Sequence, residues 1–179
     1  MEELDPWDVA NTDLVDDTFF AWMATWRAQS MITKSLEREM RERFALPITA
    51  CEVLSTLGLM PDGRMRMNDL ANWVFLSKSG ISQLITQMAG TGLVERQGDP
   101  DNLRITYAAI TDQGRTTLRR VTPVFFGAIK QHFGQHLSAD EASTVLRVMN
   151  RVLEAGGLRR EIPDFAEALD KLRESPQDD

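Results

Sequence analysis

Residues 78–90 carry six side chains that can exchange hydrogen bonds at helical spacing: Lys78, Ser79, Ser82, Gln83, Thr86 and Gln87. None of them is a carboxylate. Between them, Ile81, Leu84, Ile85 and Met88 fall at i, i+3, i+4 and i+7, one apolar stripe of a helix. The outward set of amides, hydroxyls and one ammonium suits base edges and phosphate oxygens, which would repel a carboxylate. Gln83 could pair bidentately with adenine, and Lys78 could reach guanine or phosphate. The plain alternative is a solvated helix face, although such faces usually mix in Glu and Asp. Arg104 stands apart, near the tip of the polar loop 97–104, where it could touch a phosphate or an adjacent minor groove.

Positioning these residues requires particular neighbours. Asn68 can cap a short helix through Val74, Phe75-Leu76 makes a tight connection, and Ser77 caps the helix 78–90, with Gly92 as its stop. Leu93–Arg96 and Ile105–Ile110 read as strands flanking the loop, a β-hairpin. Helix, turn, helix and hairpin in that order place the second helix in a major groove with the hairpin beside it. On the N-terminal side, 18–44 lacks Gly and Pro and repeats apolar residues at helical spacing. Pro47 forces its end, since the residue before proline avoids helical geometry. Thr49-Ala50-Cys51-Glu52 reads as a capping box for a helix to about Leu59, followed by a Pro61-Asp62-Gly63 turn. On the C-terminal side, Thr111-Asp112 caps a long helix to about His132. Ser138-Ala139-Asp140-Glu141 is a second capping box, opening a helix to about Glu154, and 165–173 suits a last peripheral helix. The fold class is mainly α with a small β-hairpin wing.

The 179-residue chain can bury a real core, with 42% hydrophobic and 26% charged residues. Its net charge of −7 is unevenly spread. Residues 1–17 hold seven acids and no base, and 158–179 hold seven acids against four bases, so 18–157 are positive by three. Phosphate attraction acts over roughly 10 Å at ordinary salt, so the overall sign does not exclude nucleic acid. The acidic first 17 residues are expected to be a solvated extension, or an added helix, that weakens non-specific association. They lack the layout of a signal peptide, no apolar run is long enough for a membrane span, and the single cysteine fits a reducing cytoplasm. A Gly-rich phosphate loop, a supported nucleophile–base pair and a metal set are all missing, so neither an enzyme nor a bound cofactor is expected.

The stretch from Ile48 to Arg115 resembles the MarR family, the multiple-antibiotic-resistance type of bacterial regulators. The resemblance is carried by MNDLA, LSKSGISQLI, GLVER, the DPDN-L-R loop and ITDQGR, and with the flanking helices it covers about 18–155. It implies a winged helix-turn-helix domain over 46–112, flanked by dimerisation helices over 18–45 and 113–155. It further implies a homodimeric repressor on a pseudo-palindromic operator, released by a small aromatic or phenolic ligand. Family wings usually carry Asp-x-Arg with a further basic residue. Here those positions are Asn102 and Leu103, so Arg104 lacks its orienting carboxylate unless Asp101 takes its place. The rival reading is a winged-helix interaction module that has lost specific DNA binding, in keeping with the acidity and the altered wing.

Three further groups invite chemistry. Trp22 and Trp26 lie one turn apart near where the family pocket opens at the dimer interface, with Ser30 a turn further on, and could contact the ligand. Cys51 could sense peroxide, but its place among Ala50 and Val53 in the second helix fits a small core residue better. His132 and His136 would share a helical face if the helix ran through Gly134, yet no further Cys or His completes a zinc set.

Overall fold

A computed structural model describes residues 16–102 and 104–157. The expected C-terminal helix at 165–173 and all but the end of the acidic extension lie outside them. The first helix, α1 (Asp17–Phe44), is 28 residues and so about 42 Å long. Asp16 caps it by accepting from the backbone N–H groups of Thr18 and Phe19, and Ala45 ends it in a left-handed conformation. Only Leu36 and Met40, near its C-terminal end, are buried.

Next comes α2 (Ile48–Leu59), which buries Ala50, Cys51, Val53, Leu54, Thr56 and Leu57 and forms the central pillar. Its start corrects the expected capping box. Pro47 is the N-cap, Thr49 lies inside the helix, and no side chain of the segment caps it. The Ile48 N–H instead donates to Glu37 Oε2 at 2.6 Å, a carboxylate supplied by α1. A partner eleven residues upstream displaces the local motif because proline already fixes the extended entry to the helix.

After a turn with Gly63 at φ +67, the short strand β1 (Arg64–Arg66) leads into α3 (Met67–Trp73). Neither β1 nor the start of α3 matches expectation, since α3 begins after Arg66 and Asn68 makes no capping bond. The helix α4 (Lys78–Gly90) follows as expected, with the Ser77 hydroxyl accepting the Gly80 N–H. The hairpin is β2 (Val94–Gly98) and β3 (Thr106–Ile110). β1 adds to it to make an antiparallel sheet in the order β1-β3-β2, with Met65 opposite Ala108 and Arg96 opposite the same alanine on the other side. Thr111 caps α5 (Asp112–His132), and Ser138 and Glu141 close a complete capping box on α6 (Ala139–Ala155).

One core joins α2, α3, α4 and the sheet through Leu54, Leu57, Leu70, Ile81 and Ile85. A second cluster, Met40, Cys51 and Val121, fastens α1 and α5 to α2. By contrast α6 buries no residue, and Leu146 and Val152 are 57% and 62% exposed. No helix among the described residues is long and apolar enough to cross a membrane.

Candidate nucleic-acid interface

The turn between α3 and α4 is short and specific. The Leu76 N–H reaches back to the Ala71 carbonyl at 3.0 Å, and Phe75 between them adopts φ +54. A non-glycine residue there costs about 1–2 kcal/mol, so the surrounding packing must impose the conformation. Val74 on one side is buried, and Leu70 and Ala71 anchor α3 in the core. The turn thereby sets α4 with Ile81, Leu84, Ile85 and Met88 inward, all buried as their spacing requires.

The opposite side of α4 presents Lys78, Ser79, Gln83, Thr86 and Gln87 to solvent, with Ser82 half-buried at its margin. The six sequence-selected residues therefore share one face, which is free of carboxylates along the whole helix. All three hydroxyls are engaged, Ser79 Oγ with Ser77 Oγ at 3.1 Å. Thr86 Oγ1 donates to the Ser82 carbonyl at 2.8 Å, and Arg96 Nη2 from β2 approaches Ser82 O, Ser82 Oγ and Thr86 Oγ1 at 2.8, 3.1 and 2.9 Å.

Beyond β2 the chain turns on Asp99, whose Oδ1 accepts the Asp101 and Asn102 N–H groups, both at 3.0 Å. Asn102 Oδ1 in turn accepts the Arg104 N–H at 3.1 Å. The Asp101 N–H bond, followed by the Tyr107 hydroxyl and the Asn102 N–H, holds the Asp99 carboxyl below the usual carboxylate range. Between this tip and the start of α4 lies an open groove of about 350 Å³, flanked by Arg66, Lys78, Arg96 and Arg104 and floored by Ile81 and Ile105. Four cations against one carboxylate, Asp69, line this groove beside the carboxylate-free face of α4, a net positive surface complementary to a phosphate backbone.

A winged helix DNA-binding domain matches residues 49–114. No curated protein matches the chain. Among solved structures, AbsC, a MarR family transcriptional regulator from Streptomyces coelicolor, is 29% identical with a TM-score of 0.74, over 80% of this chain and 97% of that one. The chain is therefore similar in sequence and fold to MarR family regulators. Sco3205, a MarR family regulator from the same organism solved in complex with DNA, is 25% identical with a TM-score of 0.73, over 82% of this chain and 90% of that one. An Escherichia coli MarR mutant complexed with operator DNA shares the fold at 15% identity and a TM-score of 0.67, over 79% and 99% of the two chains.

Against the wing pattern of the family it resembles, the loop departs in a way the structure makes intelligible. Asn102 keeps the turn-forming role of a short polar side chain, because its oxygen still captures the Arg104 N–H. Asp101 does not replace the missing carboxylate: among the described residues no ion pair joins it to Arg104. The other acid of the loop, Asp99, is engaged by the turn and by Tyr107.

Sequence reasoning passed over Arg64, Arg66, Arg96 and Tyr107. The guanidinium groups of Arg64 and Arg66 stand 4.8 and 5.9 Å from the Tyr107 ring centre, and Arg66 Nε donates to the Tyr107 hydroxyl, which donates to Asp99. An Arg-x-Arg run at strand period and the chain's single tyrosine were the available signals. They acquire meaning only once β1 pairs with β3.

Trp22, Trp26 and Ser30 are exposed on the N-terminal half of α1, the tryptophans by 61% and 56%, and they do not line the groove beside α4. Within one chain they are brought to no enclosed site. Cys51 is buried, and burial, reinforced by the Glu37 charge, pushes its thiol up to about 11. Such a thiol is almost wholly protonated at neutral pH and a poor nucleophile. His132 ends α5, whereas His136 sits in a separate 3-10 turn, Gly134–His136, so the two do not share a helical face. No metal-holding cluster occurs among the described residues.

Proposed function

We propose that the chain is a homodimeric, sequence-specific DNA-binding repressor whose operator complex is released by a small aromatic or phenolic ligand. The observation that carries DNA reading is the outward face of α4, uncharged except for Lys78 and free of carboxylates, beside a groove edged with arginine. Ser79, Gln83 and Gln87 are exposed along it, and Lys78 opens it at the helix N-terminus, where phosphate is also favoured. Arg104 at the wing adds a phosphate or minor-groove contact. The DNA complexes solved for Sco3205 and for the E. coli MarR mutant are in keeping with this reading.

Dimerisation is supported by exposed apolar surface on two helices outside the helix-turn-helix and its hairpin. Phe19, Phe20, Trp22 and Trp26 on α1 and Leu146, Met149 and Val152 on α6 are all exposed in the single chain. So much exposed apolar surface on two helices marks an interface. Two copies joined there would present their α4 helices to half-sites roughly 34–36 Å apart. A ligand held near Trp22, Trp26 and Ser30 would favour a dimer whose spacing no longer fits, a shift between two populations.

Anisotropy titrations of duplexes from the DNA flanking the protein's own gene test the reading, with salicylate added as a phenolic probe. Gln83→Ala should flatten the preference for the bound duplex over random DNA, whereas Arg104→Ala should weaken both about equally. Failure of the wild-type chain to prefer any flanking duplex would favour an interaction module instead. Equal loss on both DNAs for the Gln83 variant would remove that residue from base reading.

A further inference from the structure

Arg96 is a guanidinium that bridges wing and helix. It projects from β2, where its register partner is Ala108, and its Nη2 meets three oxygens of α4. Two N–H bonds shared among the Ser82 carbonyl and the Ser82 and Thr86 hydroxyls hold the nitrogen against two consecutive turns of the helix. The Thr86 hydroxyl is spent twice, accepting from Arg96 and donating to the Ser82 carbonyl. No carboxylate pairs with Arg96 among the described residues, so its charge remains on the surface while its geometry is fixed by neutral partners.

We infer that Arg96 is a positioning residue that locks the wing to α4, that the Ser82 and Thr86 hydroxyls are its anchors, and that base reading falls to Ser79, Gln83 and Gln87. The inference rests on the proposed DNA-binding function and sharpens it. Readers on a helix discriminate only while the helix holds one orientation in the groove, and a strap between β2 and α4 supplies that rigidity. The Thr86 hydroxyl has its proton and one of its two lone pairs committed inside the protein, so it cannot donate to a base without breaking its bond to the Ser82 carbonyl.

The test uses the full chain and the duplex that the wild-type protein enriches from a randomised library. Arg96→Met should weaken binding to that duplex by about tenfold, the order of one charge-assisted hydrogen bond, and binding to random DNA by about twofold or less. The salt slope should change little. Thr86→Val, which removes the hydroxyl at nearly constant shape, should weaken the enriched complex without altering the preferred base at any one position. The double variant should be no weaker than Arg96→Met alone. A direct phosphate contact would instead lower affinity equally on both DNAs and reduce the slope by about 0.9, overturning the inference. A new base preference at one position in Thr86→Val would make Thr86 a reader and overturn it as well. Enrichment of no sequence by the wild type would remove the DNA-reading function itself, and the inference with it. Without DNA, amide exchange across 94–98 should quicken in both single variants while that of α2 is unchanged. Unchanged exchange in 94–98 would show that no strap exists.

Discussion

Replacing Glu37 should destabilise the DNA-binding domain although Glu37 lies on a different helix and outside the domain. The α2 helix begins after Pro47 with no side-chain cap of its own and no acid in its first turn. Its first N–H, from Ile48, has Glu37 Oε2 at 2.6 Å, while Oε1 pairs with Arg41 one turn along α1. A hydrogen bond from a backbone N–H to a charged acceptor contributes about 1.5–3 kcal/mol. The Glu37 side chain is 29% exposed, which places the bond at the lower end of that range. The Arg41 pair, with the arginine 60% exposed, adds only about 0.3–0.5 kcal/mol. Glu37→Ala should therefore cost about 2 kcal/mol. Glu37→Gln keeps an acceptor for Ile48 without the charge and should cost about 1 kcal/mol. Urea unfolding at one fixed protein concentration measures both, because the stability of a dimer depends on concentration. The Glu37 charge also helps raise the Cys51 thiol. Both variants should consequently lower the pH at which Cys51 reacts with iodoacetamide. A loss below about 0.3 kcal/mol in Glu37→Ala, or equal losses in the two variants, would refute the capping argument.

Cys51 itself makes stability depend on alkaline pH. Its folded thiol is raised to about 11 from a reference of 9.0, so its contribution is complete below pH 9 and is lost as pH rises toward 11, where only the unfolded chain ionises. Urea midpoints at pH 8 and 10.5 should differ more for the wild type than for Cys51→Ala. Gly114→Ala should cost about 2–3 kcal/mol by overpacking. The added Cβ would stand 2.1 Å from the Leu93 carbonyl oxygen, which is backbone and cannot swing aside. Thermal melting should show the loss, and an unchanged midpoint would contradict the close approach of α5 to the strand. Leu146→Glu should leave helix content unchanged but shift sedimentation toward monomer, because Leu146 is 57% exposed within one chain. A variant that sediments like the wild type would exclude that face of α6 from the interface.

Much of this fold is written in short-range pattern. Ser77, Thr111 and Ser138 cap the helices that follow them because each bond spans only three residues. The two faces of α4 follow from period alone: Ile81, Leu84, Ile85 and Met88 are buried and the polar set lies opposite. The same sequence contains a local capping pattern at Thr49-Glu52 that is not used, since Glu37 arrives from α1 with a charged oxygen. β1 is three residues long, too short for any periodicity, and exists as a strand because β3 offers it partners. Arg96 in GLVER is an exposed strand arginine by sequence, and its engagement with Ser82 and Thr86 spans 14 and 10 residues. Sequence by itself thus determined the helices, the caps of α4, α5 and α6, and the chemistry of the outward face of α4, all of which depend on neighbours within a turn or two. Tertiary structure decided which carboxylate caps α2, which helix Arg96 grips, and which cations gather at the groove. Those contacts join residues far apart in the chain, and only the packed core brings them within hydrogen-bonding distance.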